Sequence, residues 1–310
     1  MKMNKLIVSS SPHIKTKFET PGIMLDVVIA LLPTLIAGTV IYGIRSLLVV
    51  FTCVLASVVS EYLFNLIVKK EQTVFDFSAV VTGLILGLSL HANAPVWQCI
   101  IGSVFAIIVV KCFFGGLGAN FANPAATARV FLLVCFSGTL AGGANPVDVT
   151  AGATPLAELA NGGKLPELMD MFLGNRGGSI GESCILALLL GFIYLVARRV
   201  IKFETPLIMI ATVFVLTFAV TGDVNVALYH VLGGGLVFGA VFMATDYVTT
   251  PITRTGKMIF GFGCGLITFL IRMYGNYPEG VSFAILFMNI LSPYIESWTK
   301  PRALGKRGNK

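Results

Sequence analysis

The sequence predicts an all-α polytopic membrane protein of about ten transmembrane helices, built as two inverted five-helix halves with broken helices. Three observations carry this. First, 56% of the 310 residues are hydrophobic and only 12% are charged, where a soluble domain carries roughly 25% charged residues, and the mean hydropathy is +0.87. Second, apolar runs long enough to cross roughly 30 Å of hydrocarbon recur along the whole chain. Third, two similar sets of glycine, proline and polar residues interrupt those runs at corresponding places, as broken helices in inverted repeats do.

Taken in order, the spans read 23–42, 47–68, 75–90, 96–114 and 124–140 in the first half, then 180–197, 206–220, 226–245, 258–274 and 281–295 in the second. The first and seventh follow FETPGIM at 18–24 and FETPLIM at 203–209, where Thr at the N-cap and Pro at the first helical position start a helix well. LGLSLHANAP closes the third span and FMATDYVTTP the eighth. GGLGANFANP and YGNYPEG each open the last span of a half. At an offset of 156, Gly83 falls on Gly239, Pro95 on Pro251 and Asn120 on Asn276. The FETP echo lies at an offset of 185, which the five-plus-five repeat does not explain, and it reads as two similar helix starts. One membrane domain over 1–310 follows: a first half at 22–140, an external loop at 141–179, a second half at 180–298 and a basic tail at 299–310. The amino-terminal stretch before the first span holds an apolar run of three residues, shorter than a signal-peptide core, so the first span is expected to act as the targeting signal.

Basic residues set the orientation. With the amino terminus inside, the cytoplasmic side collects 18 of the 22 Lys and Arg residues, leaving Arg45, Lys164, Arg176 and Arg272 outside. Cytoplasmic loops carry the excess of Lys and Arg, so both termini are expected in the cytoplasm and the loop DVTAGATPL, residues 148–156, outside. The net charge of +7 gathers at segment ends; no basic run is interleaved with aromatics, and nucleic acid is excluded as a partner. Cys53, Cys99, Cys112, Cys135, Cys184 and Cys264 lie in apolar segments without CxxC spacing, so no zinc or local iron–sulfur motif is present and no metal site is expected.

Backbone that is not helical at membrane depth needs polar company. Three places qualify: 115–129, 243–255 and 274–282. Each is readable singly as a capped helix end; together they point to a shared binding crevice, with Asn120, Asn123, Asp246 and Asn276 as its side chains. Charges inside a membrane are costly and mark pairs or function, which singles out Glu61, Asp76, Arg129, Asp246 and Glu279; Lys111 and Arg272 are expected to snorkel. GGLGAN and GFGCG lack the third glycine and the strand–helix context of a dinucleotide fingerprint. Hydrolase and ATPase motifs are absent, and no catalytic residue is assigned.

DVTAGAT resembles the flavinylation motif D-x-x-S/T-G-A-T, whose last Thr carries FMN through a phosphoester. With SPHI at Ser11, NPAATARVF at Asn123, MATDYVTTP at Met243 and YPEGVSFAILFMN at Tyr277, the chain resembles the family of the D subunit of Rnf complexes, to which the B subunit of sodium-pumping NADH:quinone oxidoreductase is similar. The resemblance implies FMN on Thr154, with Asp148, Gly152 and Ala153 completing the motif. Ala151 departs from the usual Ser or Thr, and Thr150 offers a neighbouring hydroxyl. It also implies a non-covalent riboflavin, a flavin transferase for maturation, the other Rnf subunits and membrane lipid as partners, and Na⁺ or H⁺ as the ion whose translocation is coupled to ferredoxin:NAD electron transfer across a prokaryotic inner membrane. Inverted halves alone would equally serve a secondary transporter or channel without covalent flavin, or a membrane anchor for redox partners to which Thr154 is dispensable.

Overall fold

A computed structural model describes residues 19–140, 143–144, 151–152, 154–163, 165–275 and 280–300. It is an all-α membrane protein. Helix α1 (Thr20–Tyr42) turns at Gly43, φ 74°, directly into α2 (Ile44–Val68). A 3₁₀ turn leads into α3 (Ser78–Ser89); α4 (Val96–Val104) continues as a π-helical stretch, Phe105–Cys112. Next come α5 (Pro124–Cys135) and α6 (Ser137–Leu140). The segment between α6 and α9 holds β1 (Gly143–Ala144), β2 (Ala151–Gly152), α7 (Pro155–Ala160) and α8 (Leu168–Leu173). The chain then forms α9 (Ile185–Ala197), α10 (Glu204–Thr221) and α11 (Val224–Leu232). It breaks, resumes as α12 (Leu236–Phe238) with a π-helical stretch Gly239–Met243, and ends in α13 (Arg254–Tyr274) and α14 (Val281–Thr299). Among the described residues, α1, α2, α10 and α13 are long and apolar enough to cross a membrane, and α11 with 236–243, bent by 57°, makes a fifth if counted as one span. Helices α3, α5, α9 and the α4–π run are shorter.

Packing follows one scheme in both parts of the chain. Helix α2 lies against α3 and α4, as α10 lies against α11 and α13; α1 meets α9, and α5 meets α14. Glycines set the approach. A Cβ on Gly83 would sit 2.6 Å from the Val54 Cα, so α3 touches α2 backbone to backbone, the membrane route to close packing where lipid supplies no hydrophobic drive.

The short helices leave orphan carbonyls inside the helix bundle. Those of α3 are met by backbone: Ile180 N donates to Leu90 O (2.9 Å) and Gly181 N to Leu88 O (2.7 Å). The span expected from 180 therefore becomes helical only at Ile185, because 180–181 are taken up in pairing with α3. Those of α11 are met by two arginines. Arg272 donates to the carbonyls of His230, Gly233 (3.1 Å) and Gly234 (3.0 Å), and Arg176 to that of Leu232 (2.7 Å). Cations at a helix C-terminus also oppose its dipole. Arg272 thus does not snorkel.

Nor does Lys111. Its side chain is buried in the π-helical stretch, where Nζ lies 2.8 Å from Glu61 Oε1 and donates to Ser78 Oγ at 2.5 Å. Thr73 Oγ1 donates to the same carboxylate at 2.6 Å. The pairing spans α2, α3 and α4's continuation, and an ion pair this dry must be well hydrogen-bonded to offset desolvation.

Candidate functional site

Two polar spaces lie at the breaks. The inner one, about 90 Å³, is lined by Asn120, Asn123, Asp246, Lys111 and Ser78, with apolar walls from Ile85, Val241 and Phe242. Asn123 is the N-cap of α5, a residue type suited to that place. Its Oδ1 accepts from Ala126 N (3.1 Å), and its Nδ2 donates to Met243 O (3.3 Å) at the end of the second π-helical stretch. Asn289 of α14 completes the junction: with its amide set to satisfy both neighbours, it donates to Thr249 O (3.3 Å) and accepts from Asn123 N (3.0 Å). Asp246 accepts from Val248 N (3.4 Å) and Thr249 Oγ1 (3.1 Å), and Asn120 Nδ2 donates to Ala122 O (3.0 Å).

The structure thus brings Asn120, Asn123 and Asp246 together. Asn276 lies outside the described residues; its neighbour Gly275 lines the other space, the length of α13 away from Arg254, roughly 31 Å at 1.5 Å per residue. A crevice of about 90 Å³ admits a few waters or a cation.

The outer space, about 660 Å³, lies between α7, α11 and α13, lined by Leu156, Ala157, Asn161, His230 and Arg272. It is wide enough for a ring system, since ligand sites run roughly 300–1,000 Å³. Thr154, two residues before the first lining residue Leu156, is the N-cap of α7, its Oγ1 accepting from Ala157 N at 3.4 Å. Thr154 is only 3% exposed, so its hydroxyl is not presented to solvent in this packing. Gly152 pairs with Gly143 in a two-residue antiparallel ladder, in which Ala151 pairs with Ala144. Asp148 and Ala153 lie outside the described residues. His230 is 7% exposed and its Nδ1 has no hydrogen-bond partner; a buried polar atom of this kind calls for an explanation, and an acceptor or donor from a ligand would supply one.

Sequence reasoning missed Asn289, His230 and the arginine clamps. The run Gly233–Gly235 was a legible helix stop; a lone amide in an apolar helix carried no comparable signal.

A family model described as the NQR2, RnfD, RnfE family matches residues 7–305. The D subunit of the Na(+)-translocating ferredoxin:NAD(+) oxidoreductase complex of Acetobacterium woodii is 46% identical over 306 residues, covering 97% of this chain and 95% of the relative. The D subunit of the proton-translocating counterpart in Clostridium ljungdahlii is 40% identical, covering 99% and 98%. The D subunit of an ion-translocating oxidoreductase complex of Stutzerimonas stutzeri is 39% identical, covering 92% of each.

Proposed function

Because the chain belongs to the NQR2, RnfD, RnfE family, we propose that it is the D subunit of a ferredoxin:NAD oxidoreductase complex that translocates Na⁺ or H⁺ across a prokaryotic cell membrane. The observation that carries this is the 46% identity to the Acetobacterium woodii protein over 97% of the chain; a transporter without a redox role has no such support. In this reading the chain spans the membrane ten times in two inverted halves, with both termini cytoplasmic and the loop 141–179 outside. The other Rnf subunits are its partners, since no complete site for ferredoxin or NAD is visible among the described residues.

FMN is attached at Thr154 through a phosphoester. When bound, it supplies an electron carrier fixed at the outer face. Thr154 provides the ester oxygen, Leu156 and Ala157 an apolar wall, and His230 and Arg272 the polar groups of the cavity beside it. The transferase must first draw Thr154 out, because its hydroxyl is buried and engaged with Ala157 N. Attachment then replaces that cap.

The inner crevice serves the coupled ion. Asn123, Asn120 and Asp246 bring side-chain oxygens to a break between helix ends, and Lys111 lines the same space. Non-covalent riboflavin, the second flavin of this reading, would require those ends to part.

The test is direct. The denatured chain, purified with its complex, should fluoresce under ultraviolet light in a gel and carry the added mass of FMN minus water. Thr154→Ala should abolish both. A Thr154→Ala chain that keeps the fluorescent band would sink the assignment.

A further inference from the structure

A second pocket of about 280 Å³ lies beside the inner crevice, where the α9–α10 connection meets the start of α13. Three cations line it: Arg199, Lys202 and Lys257. Among the described residues none of the three forms an ion pair, and no carboxylate lines the pocket. The nearby Glu204 is held by Arg254 at 3.0 Å, while Lys202 and Lys257 bring like charges to the pocket. Like charges gathered around a cavity, with the hydroxyls of Thr205 and Tyr247 alongside, call for an anion with several acceptor oxygens.

We propose that this pocket binds the phosphate of an anionic phospholipid headgroup. Phosphate chemistry is common to a free ion and a lipid, but the rim separates them. Ile252, which lines the pocket, is 73% exposed, and Phe203, next in sequence to Lys202, is 49% exposed. An inorganic ion gains nothing from an apolar rim, whereas acyl chains descending from a headgroup would cover it. Basic pockets between membrane helices are the recognised setting for acidic headgroups. The FETPLIM stretch, read from sequence as a helix start only, contributes Thr205 to the pocket lining, and its exposed Phe203 directly follows Lys202. The pocket shares Val200, Ile201, Thr245 and Tyr247 with the inner crevice, so a bound headgroup stands at the crevice mouth.

The proposal is tested on the complex in detergent, stripped of lipid and titrated with fluorescent phosphatidylglycerol, with phosphatidylcholine and inorganic phosphate as alternative probes. Phosphatidylglycerol should bind in preference to phosphatidylcholine and resist displacement by inorganic phosphate. Lys202→Gln with Lys257→Gln should weaken binding about thirtyfold, at roughly fivefold per lysine near an anionic headgroup. Lys202→Arg with Lys257→Arg should retain it, as should Lys69→Gln with Lys70→Gln elsewhere on the chain. Melting in phosphatidylcholine checks that the glutamine pair is folded; if it is not, the exposed Arg199→Gln should alone lose roughly fivefold. Equal binding of both lipids, unchanged binding in the folded glutamine or Arg199 variants, or displacement by inorganic phosphate would each overturn the lipid assignment, the last in favour of a free phosphate site.

Discussion

Asn123 makes contacts in three directions: its Oδ1 caps α5, its Nδ2 reaches the Met243 carbonyl, and its backbone N–H meets Asn289. Asn123→Ala keeps only the last. Loss of a cap costs about 1 kcal/mol, and the Met243 carbonyl is left without that partner where lipid offers none. If the crevice serves the ion or the non-covalent flavin, Asn123→Ala and Asp246→Ala should still assemble with Thr154-linked FMN. They should then show several-fold lower ion-coupled turnover, or less flavin extracted by denaturation. Full assembly with parental turnover and parental flavin content in both variants would remove the crevice from the mechanism. At this scale the sequence exposed which side chains were out of place in an apolar chain, but not their partners. Asp246 and Asn123 were readable as polar residues at breaks. The Glu61–Lys111 pair was not, because 50 positions separate its members and only local spacings, such as i to i+4, are visible along a chain.

The break between α11 and α12 illustrates the element scale. Gly234 and Gly235 have φ of 60° and 66°, a region costing roughly 1–2 kcal/mol for other L-residues. A Cβ on Gly234 would also meet Leu156 Cδ1 at 2.5 Å and Arg272 Nη2 at 2.6 Å, striking the clamp on the α11 carbonyls and the wall of the outer cavity together. Gly234→Ala should therefore lower the melting temperature by the equivalent of about 2 kcal/mol or more, the backbone cost plus steric strain. Gly22→Ala, early in α1 with nothing within 4 Å of the added carbon, should be neutral or slightly stabilising. Equal melting of the two variants would mean that the break is not held by its glycines. Helix positions were legible because apolar length alone marks them. What hides in the letters is where helix yields to break: the π-helical stretches Phe105–Cys112 and Gly239–Met243 have ordinary apolar sequences, and residues 180–181 look helical until the carbonyls of α3 claim their N–H groups.

For the whole molecule, orientation decides whether Thr154 or the inner crevice faces the cytoplasm. The charge count becomes sharper once buried or paired groups are set aside. Lys111 and Arg129 are buried, and Arg198 and Arg254 are paired with Asp26 and Glu204, so 18 − 4 leaves 14 basic residues on the proposed cytoplasmic side. Arg176 and Arg272 are engaged with backbone carbonyls, so 4 − 2 leaves Arg45 and Lys164 outside. Groups fixed by tertiary contacts say little about retention of a loop, whereas flanking cations in short loops say most. The bias that survives therefore speaks more strongly for cytoplasmic termini than the raw split. Cysteine introduced at Asn161, exposed just after α7, should react with an impermeant maleimide in intact cells, and cysteine at Asn309 only after permeabilisation. Because Cys135 is itself exposed, the reference chain carries Cys135→Ser. The reverse pattern would place the Thr154 cavity in the cytoplasm and the phospholipid pocket in the outer leaflet, and a flavin at Thr154 could then no longer be the outer-face carrier.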